Sequence, residues 1–148
     1  MALTKAQKRL LDAAREVGKE PGQSGKYLGR ELSSLIGELA TCEELDLRWE
    51  PSAGYDACTG KDRIQIKTRK SEPTPEVNPR GRLGRFGRKK PYSFDVAVYV
   101  ELDENFNTSG IWRMPVDEVE ALEDEKDKGI RGLHVGVFRS NAQEIFTS

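Results

Sequence analysis

The sequence predicts a single α/β domain built on a mixed β-sheet flanked by helices. Three observations carry this reading. Two amphipathic helical patterns open the chain, a series of alternating and fully apolar segments follows, and one more helical pattern is set between the last apolar segments. A length of 148 residues supports one hydrophobic core rather than two.

The elements follow in order. Thr4–Lys19 reads as an amphipathic helix, with Thr4 as its cap, Leu10, Leu11, Ala14 and Val17 near helical spacing, and Pro21-Gly22 as its stop. Residues 1–22 are therefore an N-terminal helical extension, and 23–148 the domain proper. Ser24 caps a second helix to about Leu39, where Leu28, Leu32, Leu35 and Leu39 form a stripe with Ile36 beside it, and Thr41–Glu44 closes it. Leu45–Glu50 alternates as a half-buried strand until Pro51-Ser52-Ala53-Gly54 breaks it. Tyr55–Cys58 and Arg63–Arg69 flank Thr59-Gly60-Lys61-Asp62, a turn sequence, and read as a hairpin. Ser71–Ser93 holds Pro73, Pro75, Pro79 and Pro91 with Gly81, Gly84 and Gly87 and has no periodicity, so residues 71–93 are expected to be a flexible basic loop, a mobile arm. Phe94–Leu102 is the most apolar stretch and suits a central strand covered on both faces. Asn105–Gly110 turns into a short strand at Ile111–Met114. Pro115 then starts a helix over Val116–Glu123, Leu133–Phe138 is the last strand, and the tail is polar.

Composition narrows the function. Hydrophobic residues make up 36%, charged residues 33%, and mean hydropathy is -0.68, which implies a small core with a long solvated segment. No apolar run approaches the roughly 20 residues that span a bilayer, and Met1–Lys8 is polar, so no membrane partner and a cytoplasmic location are expected. Cys42, Cys58 and His134 are too few for a structural zinc site or a disulfide scaffold. His134 and the two tryptophans, Trp49 and Trp112, read as structural. The formal net charge of -1 hides a segregation: Lys61–Lys90 carries a net +8 and the remainder -9. A basic block in an acidic chain is the footprint of a polyanion ligand.

The hairpin carries the chemistry. A four-residue turn at 59–62 sets Cys58 opposite Arg63, Ala57 opposite Ile64 and Asp56 opposite Gln65. The two-residue period adds Lys67 to the same face, with Arg63 and Arg69 in line, and turns Ile64, Ile66 and Thr68 to the core. Asp56 as an anionic oxygen, Gln65 as a neutral one and Lys67 beside an attacking water suit a hard divalent cation. The plain alternative is a surface salt bridge between Asp56 and Lys67.

Gly54-Tyr55-Asp56, then eight residues, then Gln65-Ile66-Lys67, within the longer phrases Gly54-Tyr55-Asp56-Ala57 and Ile64-Gln65-Ile66-Lys67-Thr68-Arg69, resembles the PD-(D/E)XK nuclease superfamily in a variant with Gln for the second acid. Phe94-Asp95-Val96 and Ile111-Trp112-Arg113-Met114-Pro115 extend the resemblance, which covers roughly Ser24 to Glu123. It implies the restriction-endonuclease-like fold and a Mg²⁺-dependent DNA endonuclease, with Mn²⁺ able to substitute. It also implies metal ligands at Asp56, Gln65, the Ile66 carbonyl and a glutamate of the first core helix, and a catalytic lysine at Lys67. Glu31 and Glu38 are both candidates for that glutamate, and Glu31 is preferred. Products with 5′-phosphate and 3′-hydroxyl ends, and a possible homodimer, follow from the same resemblance. Gln65 and the missing proline before Asp56 depart from the pattern, and the alternative is a weak or inactive nuclease-fold module that binds nucleic acid. Arg69, Lys70, Arg80, Arg82, Arg85, Arg88, Lys89 and Lys90 are the expected backbone contacts, and Phe86 is placed either to stack on a base or to anchor the loop.

Overall fold

The computed structural model describes residues 3–20, 29–71, 77–87, 90–126 and 132–147. Its elements are α1 (Lys5–Lys19), α2 (Gly29–Leu45), β1 (Arg48–Ser52), β2 (Tyr55–Cys58), β3 (Arg63–Lys70), β4 (Val96–Leu102), β5 (Thr108–Pro115), α3 (Val116–Lys126), α4 (Val135–Asn141) and β6 (Gln143–Thr147). The six strands lie side by side in chain order. β3 and β4 are parallel and every other neighbouring pair is antiparallel, so the sheet is mixed, with helices against it.

β4 sets the architecture. All seven of its residues are buried, because both faces of the sheet are covered. Val96, Val98, Val100 and Leu102 meet Leu11, Ile36, Leu39, Ile64 and Ile66 under α1 and α2. Ala97 and Tyr99 enter a second core with Phe86, Phe94, Trp112, Met114 and Phe138. Each fully buried ring such as Phe86 or Phe138 contributes roughly 1.5–3 kcal/mol through burial. The parallel register is tied at its start by Asp95, whose Oδ2 accepts from the Arg63 N–H at 2.8 Å.

α1 begins with a reciprocal cap: Thr4 Oγ1 accepts from Gln7 N–H, and Gln7 Oε1 from Thr4 N–H, each at 3.0 Å. Leu11, Ala14 and Gly18 face inward, whereas Leu10 and Val17 remain 40% and 38% exposed. A Cβ at Gly18 would lie 2.6 Å from the Phe106 ring, and Arg15 Nε donates to the Phe106 carbonyl at 3.1 Å. α1 is thus part of the main core rather than an appended extension. Its stop at Pro21-Gly22 and the cap at Ser24 lie outside the described residues.

Several boundaries differ from expectation. α2 runs through Thr41–Glu44 because Ala40, Thr41 and Cys42 continue its buried stripe. It ends at Asp46, in the left-handed region at φ 55°, where the Leu47 N–H returns to the Cys42 carbonyl at 2.9 Å. β1 then starts late and continues through Pro51, which an edge strand tolerates. β5 extends from Thr108 to Pro115, so Pro115 closes a strand instead of opening a helix. The segment expected as the last strand is α4: Val135 and Phe138, three apart, are both buried on one helical face. The tail supplies the edge strand β6, with Ile145 and Phe146 half-buried.

The described part of the arm is docked. Leu83, Phe86 and Tyr92 are buried, and Phe86 stacks on Phe138 with centroids 5.3 Å apart. The Leu83 N–H donates to the Leu133 carbonyl, and the Val135 N–H to the Gly81 carbonyl, both at 2.8 Å. Residues 82–87 therefore form a strap across the face of the sheet that carries Gln65, Lys67 and Arg69. The physical reason is that Leu83, Phe86 and Tyr92 offer apolar anchors without any period. Phe86 is an anchor, and its ring is not available to a base.

Candidate functional site

The hairpin forms as its turn dictates. Thr59 Oγ1 accepts from the N–H groups of Lys61 and Asp62 at 3.1 and 2.9 Å, and the Thr59 N–H closes the turn on the Asp62 carbonyl at 2.9 Å. Ala57 pairs with Ile64 and Cys58 with Arg63, the register the turn length predicts. One step on, Asp56 Oδ2 accepts from the Ile66 N–H at 2.8 Å, so the carboxylate takes a main-chain donor of β3.

Asp56, Gln65, Ile66 and Lys67 line one cleft of about 510 Å³, together with Ser34 and Glu38 of α2 and with Arg69 and Arg82. Glu38 completes the acidic side. Its Oε1 accepts from Trp49 Nε1 at 3.1 Å. Burial first, and then the charge of Asp56, push the Glu38 carboxyl up to about 7, against the indole donor. Burial also raises Asp56, opposed by the Ile66 N–H and by Lys67. Lys67 is lowered by burial, while Asp56 and Glu123 act to raise it and Arg69 to lower it. Two half-buried carboxylates thus line one cleft beside an ammonium held 6.0 Å over the Phe86 ring.

Glu31 is exposed and does not line the cleft; Glu38 does. Seven residues at about 1.5 Å rise put Glu31 roughly 10 Å farther along the helix. The sequence signal for this was Gly37. A Cβ there would fall 1.9 Å from Thr68 Oγ1, so α2 lies close against β3 at Gly37, next to Glu38.

The expected phosphate contacts divide. Arg69 and Arg82 line the cleft, with Arg69 Nη2 donating to the Arg82 carbonyl and Arg82 Nη1 to the Gly132 carbonyl at 2.9 Å. Arg85 lines an adjoining cleft of about 700 Å³ that shares Gln65 and Lys67. Lys70 instead sits over the Phe106 ring at 4.9 Å, on the opposite face of β3. Arg80 is exposed beyond the cleft, its carbonyl accepting from His134 Nδ1 at 2.8 Å. Lys90 Nζ is engaged by Asp124 at 2.5 Å and by the Glu120 carbonyl at 3.2 Å. Arg88 and Lys89 lie outside the described residues.

Glu123, on α3, is fully buried. Its Oε1 accepts from Tyr92 Oη at 2.5 Å, and Oε2 has no hydrogen-bond partner among the described residues. Nothing in an acidic helical pattern distinguishes it from Glu118 or Glu120. Trp112 is buried, whereas Trp49 is half-buried and holds Glu38.

Among the described residues no group of three or more His, Cys, Asp or Glu could hold a metal ion. A cation at this cleft would rest on Glu38 and Asp56, completed by the Gln65 amide oxygen and the Ile66 carbonyl. That donor set fits a hard ion that keeps several of its waters, and the mutual repulsion of the two carboxylates is what such an ion relieves. No protein-family model matches the chain, and no curated protein matches it in sequence. Among the described residues no helix is long and apolar enough to cross a membrane.

Proposed function

We propose that this protein is a divalent-metal-dependent endonuclease of the PD-(D/E)XK kind that hydrolyses DNA phosphodiester bonds. The observation that carries the reading is the desolvated Glu38–Asp56 pair beside Gln65 and Lys67 on one cleft. Mg²⁺ or Mn²⁺, when bound, supplies Lewis-acid polarisation of the phosphate and an acidified water.

The chain's own groups do the rest. Asp56 and Glu38 hold their oxygens toward the cleft, fixed by the Ile66 N–H and the Trp49 indole. Lys67 donates to a non-bridging phosphate oxygen and stabilises the charge that builds there in the transition state. The water oxygen bonds to phosphorus as the P–O3′ bond breaks, the attacking water gives up a proton to solvent and the leaving O3′ takes one from solvent, leaving a 5′-phosphate and a 3′-hydroxyl. Arg69 and Arg82 hold the backbone beside the attacked phosphate.

A second reading, a nuclease-fold module that binds DNA without cutting it, draws on the neutral Gln65 and on the finding that, among the described residues, no third acid groups with Glu38 and Asp56. The test is incubation with supercoiled plasmid in Mg²⁺, Mn²⁺ or EDTA, with Asp56→Asn and Lys67→Ala alongside. Metal-dependent nicking lost in both variants, with DNA binding retained, is the expected result. Binding without nicking by the native chain in either metal selects the second reading.

A further inference from the structure

Among the described residues, Leu10 and Val17 are the large hydrophobic side chains left exposed, at 40% and 38%, and both stand on α1. Ala6 and Ala13, also exposed, fall in line with them. From Ala6 the steps to Leu10, Ala13 and Val17 are four, three and four residues, the spacing of a helix-pairing seam. At about 100° per residue these four side chains lie within about 60° of one another. Leu11, Ala14 and Gly18, which face the core, are centred about 100° farther round the helix. α1 therefore carries two apolar stripes, and the core of its own domain takes one of them. Single exposed apolar residues are ordinary on a surface. Here the two large ones share one seam.

Size and charge identify the occupant of that seam. In an antiparallel pair with a second copy, related by a twofold axis, Leu10 meets Ala13 of the copy and Val17 meets its Ala6. Every layer then sets a large side chain against a small one, so the two helices approach closely and interdigitate. A parallel pair would stack Leu10 on Leu10 and Ala13 on Ala13, leaving its layers crowded and hollow by turns. The flank of the stripe away from the core makes the same choice. Its first half is basic, with Lys5 and Arg9, and its second half acidic, with Glu16 and Glu20, all four exposed. Asp12 between them is paired with Lys8 of the same helix at 3.8 Å. The antiparallel register brings Arg9 beside Glu16 of the second copy and Lys5 toward its Glu20, whereas a parallel one sets like beside like. Within one helix Arg9 and Glu16 are too far apart to pair, because side chains meet at three or four residues and these are seven apart. We infer that α1 is the docking surface for a second copy of this chain, in an antiparallel twofold pairing through Ala6, Leu10, Ala13 and Val17. A helix of 15 residues is about 22 Å long, so the contact is at the small end of specific interfaces and the dimer is weak. The inference does not depend on the nuclease reading.

The test is sedimentation velocity of the full chain, with circular dichroism to confirm that each variant folds. The native chain is expected to pass from monomer to dimer between about 1 and 500 µM, the range of a small interface. Leu10→Gln with Val17→Gln places good helix formers at two exposed positions and is expected to weaken association at least about tenfold. Arg9→Glu alone sets like charges together on both sides of the axis and is expected to weaken it about tenfold. Arg9→Glu with Glu16→Arg exchanges the two charges and is expected to restore association to within about threefold of native. A native chain that stays monomeric throughout overturns the inference and leaves the stripe to a partner other than this chain. A dimer unmoved by Leu10→Gln with Val17→Gln overturns it by placing the contact elsewhere. A charge exchange that restores nothing overturns the antiparallel register.

Discussion

At Glu38 three effects meet on one carboxyl. Burial and the neighbouring Asp56 raise it, the Trp49 indole opposes them, and the outcome is a value of about 7 against an ordinary 4.5. The sign of the consequence follows from proton binding. Between 4.5 and 7 the folded chain holds a proton that the unfolded chain has released, so Glu38 makes stability fall as pH rises through that window and adds no further slope above it. Glu38→Gln keeps an acceptor for Trp49 and removes the charge. Its melting temperature should exceed the native one above pH 7, and the gap should close below pH 4.5. Mg²⁺ should raise the native melting point above pH 7 and leave Glu38→Gln nearly unmoved; identical pH profiles for the two proteins would remove Glu38 from the site. Asp56 makes a separate prediction. Asp56→Ala strips the Ile66 N–H of its acceptor and should cost about 1–3 kcal/mol in denaturant melts, whereas Asp56→Asn retains an acceptor and should cost much less. Asp56, Gln65 and Lys67 were legible in the sequence because a four-residue turn and a two-residue period leave little freedom on a hairpin. Glu38 was not singled out over Glu31, because which side of a helix meets a sheet is decided by packing at Gly37, a long-range contact.

At the scale of elements, Gly37 is also a position that leaves no room for a side chain. Alanine in place of glycine inside a helix ordinarily gains about 1 kcal/mol. Here the added Cβ would meet Thr68 Oγ1, Cγ2 and Cβ at 1.9, 2.6 and 2.8 Å, so a rotamer change cannot clear it and α2 must lift from β3. Gly37→Ala should therefore destabilise by about 1–3 kcal/mol net, as overpacked cores do, and Thr68→Ala added to it should recover part of the loss. A stabilised Gly37→Ala, read by the same melts, would contradict the approach of α2 to β3. The elements legible in the sequence were those with strong local signals: the Thr4 cap of α1, the Thr59 turn and the unbroken apolar run of β4. α4 was misread as a strand because Leu133, Val135 and Val137 alternate, while its true anchors Val135 and Phe138 are only one helical turn apart. β6 was missed because an edge strand exposes Gln143 and Glu144 and half-buries Ile145 and Phe146. The docking of the strap left no periodic trace at all. Three anchors spaced for a loop carry no repeat, and their partners, Phe138 among them, lie far along the chain.

Over the whole molecule, the basic block of Lys61–Lys90 is less uniform than its composition. Eleven cations fall within it. Lys90 is spent on the acids of α3, Lys70 lies on the opposite face over Phe106, and Arg80 is turned away from the clefts. Arg63 pairs with Asp95, and Lys67, Arg69, Arg82 and Arg85 are the described cations of the block that line the two clefts. The remainder of the chain carries a net -9, so the charge asymmetry favours approach of a polyanion from the basic side. Each phosphate neutralised on a single strand contributes about -0.7 to the slope of log K against log salt concentration. Contacts at the four cleft-lining cations predict a slope of about -3, and engagement of the whole block about -8. Anisotropy titrations with a single-stranded oligonucleotide across a salt series read this directly. Arg82→Glu should bring the slope toward zero by about 1, while Arg80→Glu, at a residue outside the clefts, should leave it nearly unchanged. A native slope near -8, or an equal response to the two substitutions, would place the polyanion on the surface at large and not at the two clefts.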